Sequence, residues 1–110
     1  MTRRVRYHKR FRGELAAQVS WLRKHRSPGD IRRLRVAIAS FSKRIAANPG
    51  IGYEVERHGV ASYRVFHVSA GLPYLVWYVY GVMDLRGPVD LLMFLHVSQD
   101  RERFDAHWFD

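Results

Sequence analysis

The sequence predicts an α+β domain: an N-terminal strand, a basic antiparallel helical hairpin packed on an antiparallel sheet of about four strands, and a short C-terminal helix. Three observations predict it. Between Ala61 and Val97, three runs rich in Val, Leu, Phe, Tyr and Trp are each closed by Gly, Pro or Asp, the composition of strands ended by turns. Residues 9–47 change to a helical period, interrupted once by Ser27-Pro28-Gly29-Asp30. Residues 3–8 alternate with a period of two. At 110 residues, 47% of them hydrophobic, the chain is read as one domain, 1–110, with enough apolar side chains for a core.

Arg3/Val5/Tyr7 alternate against Arg4/Arg6/His8, and the arginines suit a sheet edge, where charge discourages unwanted pairing. From about Lys9 to His25, Phe11, Leu15, Val19 and Leu22 fall within an arc of about 80° at helical spacing. Trp21 sits on the flank of that arc and is expected to cover the edge of the core. Ser27 is placed to cap a second helix, Pro28 to open it, and Asp30 to face its positive end. That helix is expected to run to about Ala47, where Asn48-Pro49-Gly50 stops it. Ile31, Leu34, Ile38, Phe41 and Ile45 make its apolar stripe, while Arg32, Arg33, Lys43 and Arg44 point away and Arg35 lies at the border.

Ile51 to Gly59 reads as a loop or irregular strand dense in ionisable groups. The three strands follow as Ala61–Val68, Leu72–Tyr80 and Val89–Val97, joined by Ser69-Ala70-Gly71 and by Asp84-Leu85-Arg86-Gly87-Pro88. Short connections favour an antiparallel meander. The second and third strands are apolar on almost every residue, as expected of strands covered on both faces. Ser98-Gln99-Asp100 is read as the cap of a last helix carrying Phe104 and Trp108 on one side.

The net charge of +9 is unevenly spread. Residues 1–44 hold 14 Lys/Arg against Glu14 and Asp30, a balance of +12, whereas residues 45–110 carry −3. A basic half suits a polyanionic partner, either nucleic acid or an acidic protein segment, and equally a solvated helix face. There is no cysteine, which excludes disulfides and thiolate metal sites. The histidines lack ligand spacing, so neither a metal nor another cofactor is expected. The start has no apolar signal-peptide core, and no apolar run reaches the length of a membrane span. The expectation is an intracellular, cytoplasmic protein without membrane contact.

Asn48-Pro49-Gly50-Ile51-Gly52 after the second helix, Tyr63-Arg64-Val65 in the next strand and Leu95-His96-Val97-Ser98-Gln99-Asp100 at the close of the last strand carry a resemblance. In their order and spacing across nearly the whole chain, they resemble the RelE/ParE superfamily of type II toxin–antitoxin toxins. The resemblance implies a toxin silenced by a cognate antitoxin with an acidic or amphipathic C-terminal segment. Arg32, Arg33, Arg35, Lys43 and Arg44 of the basic hairpin are then the expected partner-binding residues.

The superfamily divides into RelE-like endoribonucleases, which cut mRNA on the ribosome, and ParE-like toxins, which poison DNA gyrase without RNase activity. Arg64 matches the strand arginine that RelE-like enzymes set against the phosphate. The departures are that residues 53–57 hold no lysine, that Gln99 replaces an arginine, and that Phe104 offers no hydroxyl. On these, the expectation is a ParE-like, plasmid-stabilisation type, non-enzymatic inhibitor of a target such as DNA gyrase. The alternative is a RelE-like ribosome-dependent endoribonuclease using Arg64 for phosphate, Glu56 (or Glu54) as base and His96 as acid. Read as ordinary structure, Arg64 pairs with Glu54 or Glu56, and His67 and His96 bond to backbone. A plain nucleic-acid-binding module is a third reading, one that steep salt dependence would mark.

Overall fold

The structure, a computed structural model, describes residues 2–25, 28–68, 72–82 and 87–97. The expectations for Ser27, for residues 69–71 and 83–86, and for the C-terminal helix with Gln99, Phe104 and Trp108 lie outside those residues. Strand β1 (Val5–Tyr7) leads into helices α1 (Lys9–His25) and α2 (Pro28–Ala47) and a single 3-10 turn (Pro49–Ile51). Strands β2 (Tyr53–His58), β3 (Ala61–His67), β4 (Tyr74–Tyr80) and β5 (Val89–His96) follow. They form one five-stranded sheet in the order β1-β5-β4-β3-β2.

Both helices have the bounds that capping and periodicity predict, and two expectations about the sheet need correcting. The sheet has five strands, because the charged segment after the 3-10 turn pairs antiparallel with β3 as an edge strand. Most of its side chains are exposed, so it needs no apolar alternation, and its charges suit an unpaired edge. The sheet is also mixed, since β1 runs parallel to β5. Such a pairing requires a long crossover, here everything from α1 to β4. The β2–β3 hairpin turns at Gly59-Val60, with Gly59 at φ 62°, a conformation that glycine reaches without a Cβ clash.

The helices pack on one face of the sheet. Phe11 of α1 meets Phe94 edge-on at 5.9 Å, and Phe41 of α2 stacks on Phe66 at 5.7 Å. Leu34, Ile38 and Ile45 complete the α2 stripe as fully buried or nearly buried core, with Ile31 partly buried against them. Because strand side chains alternate, Val76 and Tyr78 join this cluster while Trp77 and Val79 belong to a second one on the opposite face. A bulge sharpens the division. Trp77 pairs with Met93 and Tyr78 with Leu91, so Leu92 is an extra residue, and both Leu92 and Met93 turn to the second cluster.

β1 is short and leaves the outer edge of β5 without a strand partner beyond Leu91, where α1 takes over. The Glu14 carboxylate accepts from the Phe94 amide at 3.2 Å, satisfying a donor that β1 does not reach. Trp21 departs from its expected place. It is 46% exposed and stacks on His25, one turn later in α1, at 4.4 Å.

Candidate functional site: an engaged arginine and an open basic groove

Arg64 lies mid-β3, opposite Glu54 on β2 and Tyr78 on β4. Strand alternation puts its side chain on the helix-covered face with Ser62 and Phe66, below the 3-10 turn. Its Nη1 donates to the carbonyls of Gly50 at 3.0 Å and Gly52 at 2.6 Å, and its Nε donates to Ser62 Oγ at 2.9 Å. Its Nη2 lies 3.8 Å from Glu54 Oε1. Most of the guanidinium's donor directions are therefore engaged within the chain.

The neighbours are held as firmly. Glu54 accepts from the Ser62 hydroxyl at 2.5 Å and pairs with Arg57 at 2.6 Å. The Ser62 bond, then Arg57 and Arg64, hold its carboxyl below the usual range against the opposing effect of burial. A carboxylate so stabilised is a weak base near neutral pH. The fully buried Tyr78 hydroxyl donates to the Pro49 carbonyl at 2.7 Å and accepts from the Gly52 amide at 2.9 Å. Burial pushes its pKa up to about 12, so it stays a neutral phenol tying the turn to the sheet. Gly52 is needed for that approach, because a Cβ there would stand 2.5 Å from the Tyr78 hydroxyl and 2.9 Å from the Val65 carbonyl. At the rim, the guanidinium groups of Arg3 and Arg64 lie 5.4 and 5.6 Å from the centre of the Tyr80 ring, within cation–π range.

Arg64, Glu56 and His96 do not converge. A bulge at Val55 leaves Glu54 facing Arg64 and pairs Glu56 with Tyr63, on the other face of the sheet. Glu56 accepts from the amide of Arg57. His96 is at the end of β5, edge-on to Tyr74 at 5.9 Å. Two strand spacings and four residues separate it from Arg64, roughly 16 Å. Residue types alone did not single out Ser62 or the carbonyls of Gly50 and Gly52. The one signal for them was the Asn48–Gly52 turn.

The five basic residues of α2 also divide. Arg32, Arg33 and Arg44 line an open groove of about 490 Å³, together with Val36, Ala37, Ser40, Val68 and Leu72. Arg35 and Lys43 are exposed outside it. No three His, Asp or Glu side chains among the described residues group to hold a metal ion. No helix among them is long and apolar enough to cross a membrane.

No known protein family's sequence pattern matches the chain, and no curated protein matches it. Its structure is similar to a chain in the archaeal RelE–RelB complex from Pyrococcus horikoshii OT3. The two share 15% identity at a TM-score of 0.54, over 90% of this chain and 99% of that one. The architecture described above is thus a RelE-like fold.

Proposed function

We propose that this chain is the toxin of a type II toxin–antitoxin pair, silenced by a cognate antitoxin. The observation that carries the reading is the likeness in fold, across 90% of the chain, to a chain of the RelE–RelB complex. The same likeness favours the RelE-like branch, a ribosome-dependent mRNA endoribonuclease, over the ParE-like branch that the motif departures favoured. In the RelE-like reading the rim formed by Arg3, Tyr80 and Arg64 is the phosphate-facing edge. The guanidinium of Arg64 would exchange part of its bonding to the Gly50 and Gly52 carbonyls for phosphate oxygens.

A second reading has its own observation. Arg64 is already engaged, Glu56 and His96 lie away from it, and Glu54, the alternative base beside it, is itself held by Ser62 and Arg57. That arrangement suits an inhibitor without chemistry of its own, such as a gyrase poison.

The test is induced expression in a bacterial host, following protein synthesis and DNA replication separately, for the native chain and Arg64→Gln at matched soluble levels. The RelE-like reading expects translation to stop first, with cleaved mRNA, and expects the variant to lose this. Replication failing first with intact mRNA supports the inhibitor. Undisturbed growth at confirmed soluble expression rejects the toxin reading.

A further inference from the structure

Trp21 is a large apolar side chain that the core does not use. It stands 46% exposed on α1, although Leu22 beside it is buried. Its indole stacks on the His25 ring, with the centroids 4.4 Å apart and the planes 19° from parallel. His25 is fixed in turn, because its Nδ1 donates to the Trp21 carbonyl at 2.9 Å, the bond of the tautomer that carries its proton there. The two rings are therefore a preformed unit that needs little further ordering to receive a ligand.

At helical spacing, the neighbours of Trp21 on the surface of α1 are Ala17, Gln18, Lys24 and His25. None of them is a long aliphatic chain that could floor a pocket, so the rings offer a flat face, unlike the groove on α2 with its Val36, Val68 and Leu72. An apolar side chain of another protein would find no enclosure here and would stay largely wet. A planar aromatic ligand covers such a face without a pocket. The setting is cationic. α1 holds Lys9, Arg10, Arg12, Arg23 and Lys24 against one acid, Glu14, and that acid accepts from the Phe94 amide. The cations of the last turn, Arg23 and Lys24, offset the partial negative charge at the carbonyl end of the helix, so an anion can approach. Lys24 is exposed and has no carboxylate within ion-pair distance among the described residues.

We propose that Trp21 and His25 form a stacking platform for an unpaired nucleobase of a single-stranded nucleic acid, with Lys24 meeting an adjoining phosphate. Every base has a π-face, so such a platform supplies affinity for unpaired bases without reading their sequence. A duplex keeps its bases stacked inside and offers this surface its phosphates alone. The proposal stands on the geometry of α1 and does not depend on the toxin reading.

The experiment measures binding of the purified full chain to a short oligoadenylate, to an abasic oligomer of equal length and charge, and to the matching duplex, at low and at moderate salt. The oligoadenylate is supplied in ribo and deoxy forms, and the form bound tighter names the source of the strand. The native chain is expected to bind oligoadenylate at least about tenfold tighter than the abasic oligomer. Salt should weaken both in parallel and leave that gap in place. Trp21→Ala should close the gap to within about twofold and His25→Ala should narrow it, whereas Trp21→Tyr, which keeps a ring, should retain most of it. Lys24→Ala should weaken both oligomers alike. Trp21 and His25 are exposed, so these variants should keep the native thermal midpoint. An abasic oligomer bound as tightly as oligoadenylate, a gap that survives Trp21→Ala, a duplex that competes equally, or no binding of any oligomer at low salt would overturn the proposal.

Discussion

The corner around Arg64 and the groove beside Arg44 each set an arginine against an aromatic ring, Tyr80 in the corner and Phe66 under Arg44. In the corner, carbonyls of the 3-10 turn, a serine hydroxyl and a glutamate already occupy the guanidinium. In the groove, Arg44 rests on Phe66 and, like Arg32, meets no carboxylate among the described residues. The difference separates fastening from recognition. A cation whose donors are satisfied within the chain holds structure together, and an outside ligand must displace those partners to use it. A cation left on a rim keeps its donors for a ligand and contributes little to folding.

The largest effect should come from breaking the corner. Gly52→Val places a branched side chain where even a Cβ stands 2.5 Å from the Tyr78 hydroxyl and 2.9 Å from the Val65 carbonyl. Either the 3-10 turn lifts or Tyr78 loses its hydrogen bonds, so the expected loss is about 2–3 kcal/mol. Thermal denaturation should report it as a fall in midpoint of roughly 10 °C. A valine accepted with an unchanged midpoint would mean that the turn is not packed on Tyr78 as described.

A smaller effect should follow acid. Glu54 is held below its ordinary value, near 4.5, first by the Ser62 hydroxyl and then by Arg57 and Arg64. A depressed carboxyl stabilises the fold above its unfolded-state pKa, and that contribution is lost as pH falls through the lower folded-state value. Glu54→Gln should therefore be less stable than the native chain near neutral pH, and the gap should close below about pH 4. Denaturant unfolding at several pH values measures it. A gap that does not change with pH would remove the charge from the argument and leave shape alone.

The parts of the fold that local chemistry determines could be read before the structure was known. Apolar spacing, Pro28 and the Asn48-Pro49-Gly50 stop locate both helices, and Val5–Tyr7 lies at the edge where its arginines suggested. What escaped depends on pairing between distant segments. β2 carries charges where an apolar alternation would have announced a strand, because it borders solvent. The bulge at Val55 sets Glu54, in place of Glu56, against Arg64, a one-residue shift that composition does not reveal. The partners of Arg64 are mostly main-chain carbonyls, which have no letter of their own. The helical period separated the basic stripe of α2 from its core stripe, but the groove needs Val68 and Leu72 to arrive from the sheet.

The smallest effect is expected in the groove, and its smallness is the point. Arg32→Ala and Arg44→Ala should each change stability by no more than about 0.5 kcal/mol, as for surface residues outside any network. Arg44 also covers one face of Phe66, so it should be the more sensitive of the two, chiefly through lost contact with that ring. Raising salt should leave both differences almost unchanged, since neither arginine has an ion-pair partner among the described residues to be screened. Denaturant midpoints of the two variants at low and high salt decide this. Shifts as large as that of Gly52→Val would make these arginines fasteners like Arg64. Near-neutral shifts would leave them as the cations that the fold does not consume, available to a ligand from outside the chain.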